Sequence, residues 1–249
     1  DLHRRRHSFP TRRSSDLAYW SQAIAELSAK DPVLAGVIAQ VGEQCLVSRG
    51  EPFETLLRSI VGQQISVKAA HSIWLKVQAC IAPNQEKIAP ECVLTQSIEA
   101  LRACGLSGKK VEYIQDLSHH FQAGTVNPKG WAKLDDEALI KQLIQVKGIG
   151  RWTAQMVLMF NALRPDVFPI DDLAIRKGMT NLYGFADDKE GKKQMVSKAQ
   201  DWAPWRSVAS WLLWRSLDLT PDIAAKDASP MVKKAKLAKA KARKAAVSY

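Results

Sequence analysis

Cysteine is scarce in this chain and never clustered. Cys45, Cys80, Cys92 and Cys104 are scattered, with no CxxC pair. A zinc or iron–sulfur site draws on grouped thiolates, so neither is expected, and the four read as reduced structural thiols. Long apolar runs are also missing: nothing reaches the ~18 residues a membrane helix needs, and no apolar segment follows the basic start as in a secretory signal. No membrane partner is therefore expected. Stretches that alternate apolar and polar with period two are few, so no sheet is predicted.

Positive charge is abundant but unevenly placed. The formal net charge is +11 over 249 residues. The leader 1–16 carries five arginines and two aspartates, and the tail 226–249 carries seven lysines, one arginine and one aspartate. Together they supply all but one unit of that excess, leaving residues 17–225 nearly neutral. Bulk charge thus says little about the partner of the folded body. The leader "DLHRRRHSFPTRRSSD" has no hydrophobic period and reads as a disordered extension or as sequence foreign to the gene. The Lys/Ala-rich tail reads as a solvated arm.

Between them the pattern is helical almost throughout, and the chain as a whole is 46% hydrophobic, enough to supply a core. Asp31-Pro32 predicts a capped helix start with proline at its first position. The stripes of "EPFETLLRSIVGQQISVKAAHSIWLKVQAC" break at Gly62-Gln63-Gln64. "SIEALRACGLSGKKVEYIQDLSHHFQ" reads as helix, glycine turn, helix. "LDDEALIKQLIQV" places Asp135 or Asp136 near a cap and Leu139, Leu143 and Val146 on one face. Residues 185–217 add two helices joined near Ala203-Pro204. The predicted fold is all-α, with one core over 17–225.

The most informative stretch is "LIQVKGIGRWTA". An apolar helix end meets Gly148-Ile149-Gly150 and a second apolar helix follows at once, a hairpin over about 139–160. The glycines permit positive φ and close approach of a partner, and Ile149 would plug the turn into the core. The first-turn N–H groups of the second helix, including that of Thr153, then offer an anion site. Without the Lys-Ser/Thr of a P-loop, a DNA phosphate suits this site better than a free nucleotide. After the hairpin comes "RPDVFPIDD", and Asp171 and Asp172 open the next helix, whose N-terminus favours ionised carboxylates. Of the pair, Asp171 is expected to be the helix cap or a secondary acid, and Asp172 the functional carboxylate.

This order of motifs resembles the HhH-GPD superfamily of base-excision DNA glycosylases, and within it the bacterial 3-methyladenine DNA glycosylase II (AlkA) group. "GIGRWTAQ…DVFPIDDLAIRKG", "WAPWRSVASWLLW" and "IVGQQISVKAA" carry the resemblance over about residues 40–217 in colinear order. It implies a helix–hairpin–helix core of two helical lobes with a cleft between them, and an enzyme that flips an alkylated purine out of duplex DNA and hydrolyses its N-glycosidic bond. By the same resemblance, Asp172 matches the catalytic aspartate, and Trp152 and Trp214 match aromatics lining the base pocket. Gly148, Ile149 and Gly150 match the phosphate-binding hairpin, whose carbonyls can also hold a monovalent cation. Gln63 and Gln64 match a loop that enters the minor groove. A leucine stands at the position of Gln64 in the best-known AlkA; here a planar amide would fill the gap and hydrogen-bond the orphaned base. Lyases of the superfamily carry a lysine where Trp152 stands, and iron–sulfur members carry four cysteines after the aspartate. Here all four precede it, so a monofunctional enzyme without cofactor or metal cluster is implied. A large N-terminal sheet domain is not expected.

The chemistry is consistent with that implication. A glycosylase transition state puts positive charge on the sugar, so one ionised carboxylate is the main requirement. An alkylated purine is already cationic and attracts aromatic faces. Met156, one turn beyond Trp152, would share its pocket or fill core. Trp202 and Trp205 are expected in the core, and Arg176 and Arg206 at a solvated surface. Alkylated double-stranded DNA is the expected partner of a monomer, cytoplasmic and nucleoid-associated in a bacterium or nuclear in a eukaryote. The competing reading is a helix–hairpin–helix DNA-binding protein without catalysis.

Overall fold

The structure, a computed structural model, describes residues 17–84 and 87–219. The leader 1–16 and the tail 226–249, each assigned above from composition, lie outside the described residues. Among the described residues, twelve α-helices and one 3-10 segment account for the regular structure, and no strand occurs. The all-α expectation holds. The chain divides into two compact units, one formed by its described residues up to 47 together with those from 164 onward, the other by 48–163.

The first unit contains α1 (Trp20–Lys30), α2 (Pro32–Val41), α10 (Leu173–Tyr183), α11 (Lys189–Gln200) and α12 (Arg206–Ser216). Leu27, Leu34, Ile175, Met179, Val208 and Leu212 are buried here, each contributing ~1.5–3 kcal/mol on removal from water. Asp31 caps α2 as its sequence suggests, accepting from the Val33 and Leu34 N–H groups at 3.0 and 3.2 Å. It also does something the sequence does not announce. Only 2% exposed, it accepts from the Trp202 indole at 2.9 Å and the Tyr183 hydroxyl at 3.0 Å, and it pairs with Lys198 at 3.1 Å. Trp202 and Trp205 are core residues, as expected.

The second unit contains α3 (Pro52–Gly62), α4 (Val67–Ile81), α5 (Pro90–Leu94), α6 (Ile98–Ala103), α7 (Gly108–Gln122), the 3-10 segment Pro128–Lys133, α8 (Asp136–Leu143) and α9 (Arg151–Phe160). Side-chain oxygens of Ser66, Ser97, Ser107 and Asp135 accept N–H bonds at the starts of α4, α6, α7 and α8, satisfying donors that lack intrahelical partners. Leu139, Leu143 and Val146 are all buried, as their spacing predicts. The helix α8 nevertheless ends at Leu143, so Val146 reaches the core from the turn. No helix among the described residues is long and apolar enough to cross a membrane.

Candidate functional site

In the second unit, the turn between α8 and α9 is the hairpin the glycines mark. Ile149 is 5% exposed and plugs the core. Gly148 has φ +79°, and a Cβ there would collide with the Tyr113 ring of α7. Glycine is therefore required at 148 for both backbone and space. The expectation of positive φ fails at Gly150, whose φ is −93°. As the N-cap of α9 it is extended, and a Cβ there would meet nothing within 4 Å, so that side of the turn is open to a ligand. The α9 ladder begins with the Ala154 N–H donating to the Gly150 carbonyl. The N–H groups of Arg151, Trp152 and Thr153 precede that bond and lie at the positive end of the helix. Thr153 is buried, so what its position offers a ligand is backbone rather than hydroxyl.

The hairpin is braced by groups that no local motif signals. The Lys147 N–H donates to Asp116 at 2.8 Å and its ammonium to Glu112 at 2.6 Å. The hydrogen bond to Glu112 raises the Lys147 pKa above its ordinary value. Arg151 pairs with Glu137 across the two hairpin helices. Gln63 donates its amide N–H to the Gly148 carbonyl at 2.8 Å, and the Val146 carbonyl accepts from Ile149. Of the hairpin carbonyls expected to hold a cation, those of Gly148 and Gly150 therefore already accept N–H bonds. Gln63 is thus tied to the hairpin, whereas Gln64 is exposed with φ +57°. These residues border a groove of about 790 Å³ whose walls include Arg58, Lys109, Tyr113 and Trp152. Trp152, 44% exposed, stands open, as do Ile65 and Val67 just after the Gln64 turn. Met156 is buried along with Val157 and Met159. Of the two roles open to it, filling the core is the one its burial fits.

In the first unit, the helix cap expected of Asp171 is supplied by Asp172 instead. Helix α10 begins at Leu173, so Asp172 is its N-cap, and its Oδ1 accepts from the Ile175 N–H at 2.9 Å. Asp171 is exposed and one residue too early to cap; its carbonyl accepts from Arg176 at 2.8 Å. The same Oδ1 of Asp172 accepts from the Trp214 indole N–H at 3.1 Å. Trp214 thus meets the aspartate edge-on with its donor, an orienting role beyond the stacking its ring suggests. Leu173, beside Asp172, is 67% exposed, an apolar side chain in a position that invites cover.

The loop before Asp172 is fastened by the first turns of α12. Arg206 binds Asp166 through two bonds of 2.7 and 2.9 Å, a geometry guanidinium groups favour. The Ser207 hydroxyl donates to the Arg164 carbonyl and accepts from the Val167 N–H, and the Ser210 hydroxyl donates to the Val167 carbonyl. Arg176 donates to Asp187 at 2.7 Å. Neither arginine is the solvated surface residue expected of it, because each lies near a carboxylate that is distant or unremarkable in sequence. Among the described residues no group of histidine, cysteine, aspartate and glutamate side chains could hold a metal ion, and none of the four cysteines is in a disulfide.

A glycine hairpin between two helices and an aspartate fixed at a helix start define a class, and the family comparison agrees. Residues 57–204 match the HhH-GPD superfamily of base excision DNA repair proteins, and the chain belongs to that superfamily. Among its relatives is DNA-3-methyladenine glycosylase 1 of Schizosaccharomyces pombe, 35% identical over 70% of this chain and 75% of the relative. The structure resembles a DNA-3-methyladenine glycosidase from Bacillus halodurans with a TM-score of 0.72 and 33% identity, covering 84% of this chain and 92% of that one. It also resembles the Schizosaccharomyces pombe 3-methyladenine DNA glycosylase solved in complex with abasic DNA. That TM-score is 0.70 at 32% identity, covering 80% and 98% of the two chains.

Proposed function

We propose that this protein is a monofunctional DNA glycosylase that flips alkylated purines, of the 3-methyladenine and 7-methylguanine type, out of duplex DNA and hydrolyses their N-glycosidic bonds. The observation that carries the reading is Asp172. Its carboxylate is held by the Ile175 N–H and the Trp214 indole in a chain of the base-excision superfamily. A carboxylate oriented before reaction stabilises the developing oxocarbenium ion without reorganising. The cationic base leaves readily, so no strong general acid is required. Extrusion costs a few kcal/mol, least for a weakly paired lesion.

The remaining roles follow the chemistry of each residue. The Gly148–Gly150 hairpin and the first turn of α9 take a backbone phosphate, Gln64 enters the minor groove, and Trp152 and Trp214 supply aromatic contacts to the electron-poor base. Absence of lyase chemistry is supported by the tryptophan at 152 and by the pairing of Lys147 with Glu112, which keeps that amine protonated rather than nucleophilic. The protein acts as a monomer on DNA, at the nucleoid of a bacterium or in a eukaryotic nucleus.

The test is release of free 3-methyladenine and 7-methylguanine from methylated duplex DNA by the wild type and by Asp172→Asn. Asparagine caps a helix as well as aspartate, and its amide oxygen can accept the same two N–H bonds, so the variant removes charge and little else. A loss of about 100-fold or more is expected, the scale of removing one electrostatic stabiliser. Equal release by both proteins would move the chemistry to Asp171 or another group. Release by neither, with DNA binding retained, would establish the non-catalytic reading instead.

A further inference from the structure

We infer that Gln63 is a positioning residue: its amide couples the Gln64 turn to the phosphate hairpin, and it does not itself enter the DNA groove. The bond from Gln63 Nε2 to the Gly148 carbonyl, 2.8 Å long, joins residues 85 positions apart. Both segments it joins are unusual. Gly148 is left-handed and backed by the Tyr113 ring, which fixes where its carbonyl points. Gln64, immediately after the strut, is left-handed without being glycine, a conformation that persists only where the surroundings impose it.

Those surroundings can be named. The Gln63 N–H donates to the Ile60 carbonyl at 3.2 Å. Lys110, reaching from α7, donates to the Val61 carbonyl at 2.7 Å, satisfying a carbonyl at the negative end of α3. The Gln63 side chain supplies the third tie, and it is the one that ends on the hairpin. The exposed side chain of Gln64 and the first-turn N–H groups of α9 therefore sit on one rigid assembly. Two contacts to one duplex that are already in register need no ordering when DNA arrives.

This inference rests on the proposed reading, in which the hairpin meets a phosphate and Gln64 meets the minor groove. The experiment measures affinity of the full chain for a duplex containing a tetrahydrofuran abasic-site analogue, by fluorescence anisotropy from about pH 8 to about pH 5, a span that covers titration of a perturbed glutamate. Gln63→Ala should weaken binding about tenfold at every pH, the upper end of what one lost hydrogen bond costs. Gln63→Glu should bind worse than Gln63→Ala at the alkaline end, where a carboxylate faces the Gly148 carbonyl. It should recover toward wild type as its carboxyl protonates and donates to that carbonyl. Gln64→Ala should cost about tenfold in the wild type and about twofold in Gln63→Ala, because contacts out of register no longer cooperate. A pH-independent ratio of Gln63→Glu to wild type, or Gln63 and Gln64 effects that simply multiply, would overturn the strut alone. A wild type that fails to bind this duplex would overturn the proposed function and the strut with it.

Discussion

Asp31 looks in sequence like an ordinary helix cap, yet in the fold it is a buried charge shared by α2, α10, α11 and the turn after α11. Burial alone would raise its pKa. Hydrogen bonds from Trp202, the Leu34 N–H and Lys198 outweigh burial and hold it below its ordinary value of 3.8. Lys198 is the mirror case: burial alone would lower it, but its bonds to Asp31 and Asp201 raise it above 10.5. A carboxyl depressed in the folded state contributes stability above its unfolded pKa and loses it as pH falls through the folded one. A lysine raised in the folded state contributes below its unfolded pKa and loses it as pH rises through the folded one. Asp31→Asn should therefore destabilise by ~3–5 kcal/mol, the cost of stripping one partner from a buried pair. That deficit should be widest between pH 3.8 and 10.5 and shrink at either extreme. Urea unfolding of the two proteins across pH checks this, and a pH-independent difference would show that the pair is not the source.

Elements position the chemistry through how closely they approach. Gly178 on α10 faces α12, where a Cβ would lie 3.0 Å from the Leu213 carbonyl oxygen. That approach sets α12 where Trp214 can reach Asp172. Gly178→Val should force the two helices apart and cost ~1–3 kcal/mol by overpacking. With the Trp214 donor displaced, base release should fall at least about tenfold, the worth of one charge-assisted hydrogen bond. Calorimetry beside base-release assays tests both halves; an unaltered melting temperature would mean that α10 and α12 tolerate separation. The helix pattern itself was legible, since caps such as Asp31 and Asp135 and the apolar stripe of α8 are local signals. The order of the two aspartates was not. Which one caps depends on where α10 starts, and a one-residue shift in a helix boundary is below what propensity resolves.

For the molecule as a whole, the net charge lies at the ends of the chain rather than in the body. Residues 226–249 hold seven lysines and one arginine, enough to release several counterions on contact with DNA, each worth ~0.9 in the slope of log affinity against log salt. Deleting 226–249 should flatten that slope by several units and leave base release at low salt nearly intact. An unchanged slope would confine DNA electrostatics to residues before the tail.

The chain by itself determined the all-α class, the GIG hairpin, the DNA-repair family and the neighbourhood of the aspartate proposed for catalysis. Each is written in contiguous residues, through periodicity, capping and backbone permissiveness acting over one or two turns. Only the tertiary structure decided that Asp172 rather than Asp171 caps α10, that Trp214 donates to it, that Gln63 turns inward to Gly148, and that Tyr113 makes glycine obligatory at 148. The last three of those facts depend on atoms brought together from 35 to 85 positions apart. A hydrogen bond needs donor and acceptor within a few tenths of an ångström, and no local pattern fixes a distance across that much chain.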